Sequence, residues 1–102
     1  MEKTLAGKAV EVNEEGYLTN LSQWDWDVAE EIASEYKIDL TPKHKVVIEY
    51  LQDQFKNEVP LTIRKVGASG VTTIKEFYEL FPQGPLKIST KIAGIPKPAS
   101  CI

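Results

Sequence analysis

Residues 24–60 read WDWDVAEEIASEYKIDLTPKHKVVIEYLQDQFKNEVP, and they decide the fold class. Two helix starts and two apolar stripes of helical period lie in this stretch. Asp25 is a candidate N-cap, since its carboxylate can accept from a backbone N–H one turn on. Val28, Ala29, Ile32, Ala33 and Tyr36 then recur at helical spacing, which predicts a helix from about Trp26 to Tyr36. Asp27 and Glu30 stand near its N-terminus, where the helix dipole favours them. Thr41-Pro42 places a capping hydroxyl before proline at the first helical position. A second helix follows from Pro42 to about Lys56, with His44, Val47, Ile48, Leu51 and Phe55 as its stripe, and Asn57 and Pro60 end it.

Before this pair, Lys8–Val12 alternates weakly, Asn13-Glu14-Glu15-Gly16 supplies turn chemistry, and Tyr17-Leu18 begins a return strand, which together predict a β-hairpin. After the pair, Leu61–Val66 has room for one or two helical turns, and Gly67–Gly70 reads as a loop. Thr73 and Glu76 match a capping box ahead of a short helix from Ile74 to about Leu80, stopped by Pro82. Four of the six prolines fall within residues 82–102, so this tail is expected to be irregular or extended. The reading is a single α+β domain, mostly α. A hairpin and helical body occupy residues 1–81, and a C-terminal arm of the same domain occupies 82–102. The adjacent helices leave a helix-turn-helix-like arrangement open. Trp24 is expected to pack the hairpin against the first helix, with Trp26 beneath it or at a surface edge.

At 102 residues the chain can bury one core and hardly more. Nothing approaches the roughly 18 consecutive apolar residues of a membrane span, and no apolar leader precedes the hairpin. With one cysteine, the expected compartment is the cytoplasm. The net charge of −3 is unevenly spread: residues 82–102 hold Lys87, Lys91 and Lys97 and no acid, leaving −6 on residues 1–81. An acidic body with a basic tail argues against general nucleic-acid binding by the whole surface, and against DNA as a partner. The basic tail suits docking into an acidic or polar cleft, or merely keeps a proline-rich segment soluble.

Little else carries chemistry. His44, the only histidine, lies on the apolar side of its helix and reads as structural. No spacing brings it to Cys101 as a catalytic dyad. One cysteine and one histidine cannot make a four-ligand zinc site, so neither metal nor cofactor is expected. Gly67 and Gly70 lack the Lys-Ser/Thr pair of a phosphate loop.

The remaining candidate is Cys101, the sole and penultimate thiol, at the end of FPQGPLKISTKIAGIPKPASCI (residues 81–102). It has no intramolecular disulfide partner, but it can form a persulfide, a mixed disulfide or a thioester. Pro96 and Pro98 extend the segment and lower the entropy lost on docking. Gly94 is a plausible hinge, and from there to Cys101 the chain spans roughly 25 Å when extended. Ordinary thiols have a pKa of about 8.5, so only a few per cent is thiolate at neutral pH. Lys97 would favour the thiolate and the terminal carboxylate would oppose it. The alternative is an incidental cysteine, or an apolar terminal dipeptide used for docking.

The runs Leu80-Phe81-Pro82-Gln83-Gly84-Pro85 and Thr90-Lys91-Ile92-Ala93-Gly94-Ile95-Pro96-Lys97-Pro98, followed by Cys101, resemble the C-terminal signature of the DsrC/TusE family of sulfur carriers. Glu15-Gly16-Tyr17-Leu18, Trp24-Asp25, Leu40-Thr41-Pro42-Lys43-His44 and Arg64 extend the resemblance over most of the chain. It implies a small helical fold with an N-terminal hairpin, a helix-turn-helix-like element and a mobile C-terminal arm. It implies sulfur relay, with Cys101 accepting a persulfide and Arg64, Lys91, Gly94, Pro96 and Lys97 positioning the arm. The implied partners are sulfurtransferase donors of the TusBCD or DsrEFH kind, and a downstream acceptor or reductase. The role is that of a sulfurtransferase-type carrier rather than a stand-alone catalyst. The other role it implies is a non-redox accessory subunit or regulator of a sulfite-reductase-type enzyme. Members of the DsrC type carry a second arm cysteine where this chain has Thr90; the threonine resembles TusE-like members, whose sulfur goes toward tRNA 2-thiolation or related metabolism. Two departures stand out. Lys45 replaces a usual tryptophan, and the stretch from Arg64 to Glu76 is several residues short.

Overall fold

The two central helices begin at their capping residues. In the computed structural model, which describes residues 1–97, Asp25 Oδ1 accepts from the Val28 N–H at 2.9 Å and opens α1 (Trp26–Glu35). Thr41 opens α2 (Pro42–Lys56) through a reciprocal cap with His44. Three further helices follow: α3 (Ile63–Ala68), α4 (Ile74–Leu80) and α5 (Pro85–Ile92). A 3-10 turn at Leu21–Gln23 precedes α1. No helix of the described residues is long and apolar enough to cross a membrane.

His44 has a structural role, as expected. The Leu80 carbonyl, 2.9 Å from Nε2, can only accept, so Nε2 carries the ring proton. Nδ1 is then free to accept from the Thr41 N–H at 3.1 Å. The ring also meets Phe81 edge-on at 5.1 Å. One side chain thus caps α2 and ties its first turn to the end of α4. On α4, Thr73 makes half of the expected capping box by accepting from the Glu76 N–H. The Glu76 carboxylate turns instead to the Thr72 hydroxyl and to Lys43. The Thr72 hydroxyl, ahead of the Lys43 ammonium, holds this carboxyl below the usual glutamate range.

The hairpin exists but pairs differently. Strand β1 (Glu2–Leu5) runs antiparallel to β2 (Lys8–Glu11), with Glu2 opposite Glu11 and Leu5 opposite Lys8. Ala6 and Gly7 make the turn with φ of 54° and 78°. Both values are positive, as a two-residue type I′ turn requires, and Ala-Gly is a weak signal for it. The Asn13–Gly16 turn does form, but behind it lies only a single bridge from Val12 to Leu18.

The larger correction concerns the tail. The segment expected to be irregular from residue 82 onward is helical over Pro85–Ile92 and belongs to the core: Leu86, Ile88, Ser89, Thr90, Ile92, Ala93 and Ile95 are all buried. Pro85 stands at the first helical turn, where its missing N–H costs nothing. α5 packs against α1, α2 and α4 and so becomes the central element of the domain. Two smaller differences follow from packing. Helix α3 continues through Gly67, where a Cβ would come within 2.4 Å of Ile74. Phe55 is exposed, because the last turn of α2 runs past the core.

Substituting His44 with alanine removes the cap and the link to Leu80 together. We expect a loss of about 2 kcal/mol in stability, read as a drop of roughly 10 °C in Tm by circular dichroism. An unchanged Tm would refute this role.

Candidate functional site

The described chain leads toward Cys101 from the C-terminus of α5, and that terminus is held from several sides. The last carbonyls of any helix lack intrahelical donors. Here the Ile92 carbonyl accepts from Trp24 Nε1 at 2.7 Å, and the Ala93 carbonyl accepts from Gln52 Nε2 at 2.7 Å. The Gly94 N–H returns to the Lys91 carbonyl and the Ile95 N–H to that of Thr90. With Gly94 at φ 74°, this is a Schellman cap, and it stops the helix. One turn earlier, the Tyr17 hydroxyl donates to the Lys87 carbonyl at 2.9 Å.

Gly94 was expected to be a hinge, and the structure assigns it the opposite role. A Cβ at this position would lie 2.4 Å from Trp24 Cδ1, so the indole sits directly on the glycine. Only glycine meets both the left-handed φ and the close approach. Trp24 therefore packs on the end of α5. Trp26 meets it edge-on at 4.9 Å, with Lys45 lying 5.5 Å from the Trp26 ring centroid.

Lys91 is half-buried. Its Nζ donates to the Tyr36 hydroxyl at 2.7 Å and lies 5.2 Å from the Tyr36 ring centroid and 5.8 Å from that of Tyr17. It stitches α5 to α1 and to the turn after β2. Lys97, beyond the helix, pairs with Glu15 Oε2 at 3.0 Å. Pro96 is exposed beside it. Thr90 is fully buried, and its Oγ1 donates to the Leu86 carbonyl at 2.7 Å.

The structure thus gathers Lys91, Gly94, Pro96 and Lys97 at one end of α5. Arg64 is not joined to them: it stands exposed on α3, without a hydrogen bond or ion pair to a described residue. Cys101 lies outside the described residues, as do its neighbours from Pro98 onward. Among the described residues no group of side chains could hold a metal ion. Reading the sequence missed Tyr17, Gln52 and Glu15 as supports of this junction. Each supports a partner at least 41 positions away, and local spacing cannot reveal that.

Gly70 offers a control for the Trp24–Gly94 contact, since its φ is 88° but a Cβ there would touch nothing. Gly94→Ala should therefore destabilise the protein by at least about 1 kcal/mol more than Gly70→Ala, measured by denaturant unfolding. Equal losses would show that the indole contact carries no weight.

A family model described as DsrC-like protein matches residues 4–102. The gamma subunit of dissimilatory-type sulfite reductase from Nitratidesulfovibrio vulgaris is 39% identical, over 99% of this chain and 98% of that one. The sulfurtransferase TusE of Escherichia coli K12 is also 39% identical, over 94% of this chain and 95% of its own. Among solved structures, the solution structure of DsrC from Allochromatium vinosum superposes with a TM-score of 0.83 at 32% identity, covering 100% of both chains. Sequence, architecture and length all agree, and the chain belongs to the DsrC-like family.

Proposed function

We propose that this protein is a sulfur carrier in which Cys101 accepts a sulfane sulfur as a persulfide and passes it to a downstream acceptor. The observation that carries the reading is the position of the thiol. The backbone is anchored through buried Ile95, and the only cysteine follows six residues later, within roughly 21 Å of that anchor. A relative named a sulfurtransferase and another named a sulfite reductase subunit support sulfur chemistry as the theme.

The transfer balances without an added oxidant. The Cys101 thiolate attacks the outer sulfur of a donor persulfide, a new S–S bond forms, the donor's S–S bond breaks, and the donor leaves as a thiolate. A nucleophile on the acceptor then takes the outer sulfur and releases the Cys101 thiolate. Both ring nitrogens of the only histidine are engaged with Thr41 and Leu80. His44 is therefore held in the fold by two bonds, and the role proposed is that of a sulfurtransferase-type carrier rather than a stand-alone catalyst. Thr90 stands where two-cysteine members carry their second arm thiol, so this chain relays sulfur through one thiol and closes no internal disulfide. Suitable partners are donors of the TusBCD or DsrEFH kind and an acceptor in tRNA 2-thiolation or related sulfur metabolism. The cytoplasm suits a lone reduced thiol. Arg64, Lys91, Gly94, Pro96 and Lys97 are the residues proposed to position the arm.

The second reading is an accessory subunit of a sulfite-reductase-type enzyme, favoured by the name of the Nitratidesulfovibrio relative. One experiment separates the two. Incubated with a cysteine desulfurase, cysteine and a relay protein, the wild type should gain sulfur mass and Cys101→Ser should gain none. If wild type gains nothing while Cys101→Ser retains partner binding that deletion of residues 94–102 abolishes, the accessory reading replaces the carrier reading.

A further inference from the structure

The large apolar side chains exposed among the described residues are Met1, Val46, Phe55, Ile74 and Tyr78. Of these, only Ile74 and Tyr78 stand one helical turn apart, so they share a face of α4. Each is 45% exposed. The helix beneath them is held from behind. Phe77 is buried on its inner side, Thr73 caps its start, and Lys43 of α2 pairs with the Glu76 carboxylate. Helix α3 packs alongside, with Gly67 so near that a Cβ there would come within 2.4 Å of the Ile74 side chain. Arg64 precedes Gly67 by three positions and so borders the same seam. Lys75, three positions before Tyr78, is exposed on the same side of α4. Neither cation has an ion-pair partner among the described residues, and Glu79, one turn beyond Lys75, makes no ion pair with it.

The charge of this region is opposite to that of the preceding chain. Residues 1–58 hold six lysines against thirteen side-chain carboxylates, a net −7, whereas residues 59–75 hold Arg64, Lys65 and Lys75 and no acid. We propose that α3 and α4 present a docking face for an acidic segment of a partner protein that carries an apolar anchor. Ile74 and Tyr78 form the centre of the contact, and Arg64 and Lys75 its charged rim. Charge complementarity selects an acidic occupant. The apolar pair at the centre selects a protein over a nucleic acid: phosphate contacts would leave Ile74 and Tyr78 uncovered, and the acidic body repels a polyanion. Tyrosine and arginine are among the residue types that dominate such contacts. The support behind α4 lowers the ordering cost of binding. Nothing in this contact depends on the chemistry of Cys101.

A random peptide library displayed on phage and panned against the reduced full-length protein supplies the probes. The enriched peptides should combine Asp or Glu with Leu, Ile, Phe or Trp. Their synthetic copies should shift the backbone amides of α3 and α4 in NMR spectra. Affinity should fall at least about fivefold in Tyr78→Ala and about two- to fivefold in Lys75→Glu. Wild type should weaken similarly at about 1 M salt, where the screening length is about 3 Å. Both variants lie at exposed positions of α4 and leave the arm residues, Arg64 included, unaltered. Amide spectra of each variant establish that it is folded. Enriched peptides without acidic residues, shifts centred elsewhere, variants that bind like wild type, or a library that yields no binder would each overturn the docking face. So would a DNA duplex or a transfer RNA that shifts the same amides at lower concentration than the peptides.

Discussion

A helix that ends inside a protein leaves carbonyl groups that neither water nor the helix itself can satisfy. Helix α5 ends in this way, and the rest of the structure answers it. Trp24 comes from the turn before α1 and Gln52 from the middle of α2, while Tyr17, from the end of the hairpin region, adds a bond one turn earlier, to the Lys87 carbonyl inside the helix. Trp24 and Gln52 each supply one donor to the helix end. An unpaired buried carbonyl costs about 1–3 kcal/mol, a large part of the stability of a domain this small. The elements that carry these donors cannot move independently without exposing that cost. The same constraint sets where the arm begins, because the backbone is committed as far as Ile95.

Much of this architecture was legible because its signals are local. Asp25, Thr41-Pro42 and Thr73 announce three helices through side chains that reach one turn ahead, and those helices begin at these residues. The α5 helix was concealed by prolines. Leu86, Ser89, Thr90 and Ala93 do fall at helical spacing, but two are polar, and Pro82, Pro85 and Pro96 crowd the segment. Pro85 in fact begins the helix, and Pro96 follows its cap, both positions that proline favours. Gly94 followed by Ile95 and then Pro96 is the sequence pattern of a capped helix end. The absence of an obvious helix before it made the glycine read as a hinge.

The candidate site divides in the same way. Lys91, Gly94, Pro96 and Lys97 were identifiable because they cluster in sequence, and the fold keeps them together. Their roles were not readable. Lys91 faces two tyrosines, Gly94 faces an indole and Lys97 faces Glu15, and these partners lie 55 to 82 positions distant. Such pairings depend on how α5 lies across α1 and α2, which follows from burial and not from any motif. The family resemblance reached further than periodicity here. The tail signature extends across a segment in which spacing alone gave no helix.

The central claim is that the arm starts at Ile95 and that everything before it, α5 included, belongs to the cooperative core. Native-state amide hydrogen exchange across Pro85–Ile95, compared with the buried face of α2, tests it most directly. The account predicts that the hydrogen-bonded amides of α5, including those of Gly94 and Ile95, exchange only through the same global unfolding as Val47, Ile48 and Leu51. Exchange of α5 through a separate opening, at a free energy well below that of α2, would mean that the arm begins near Pro82 and would contradict the account.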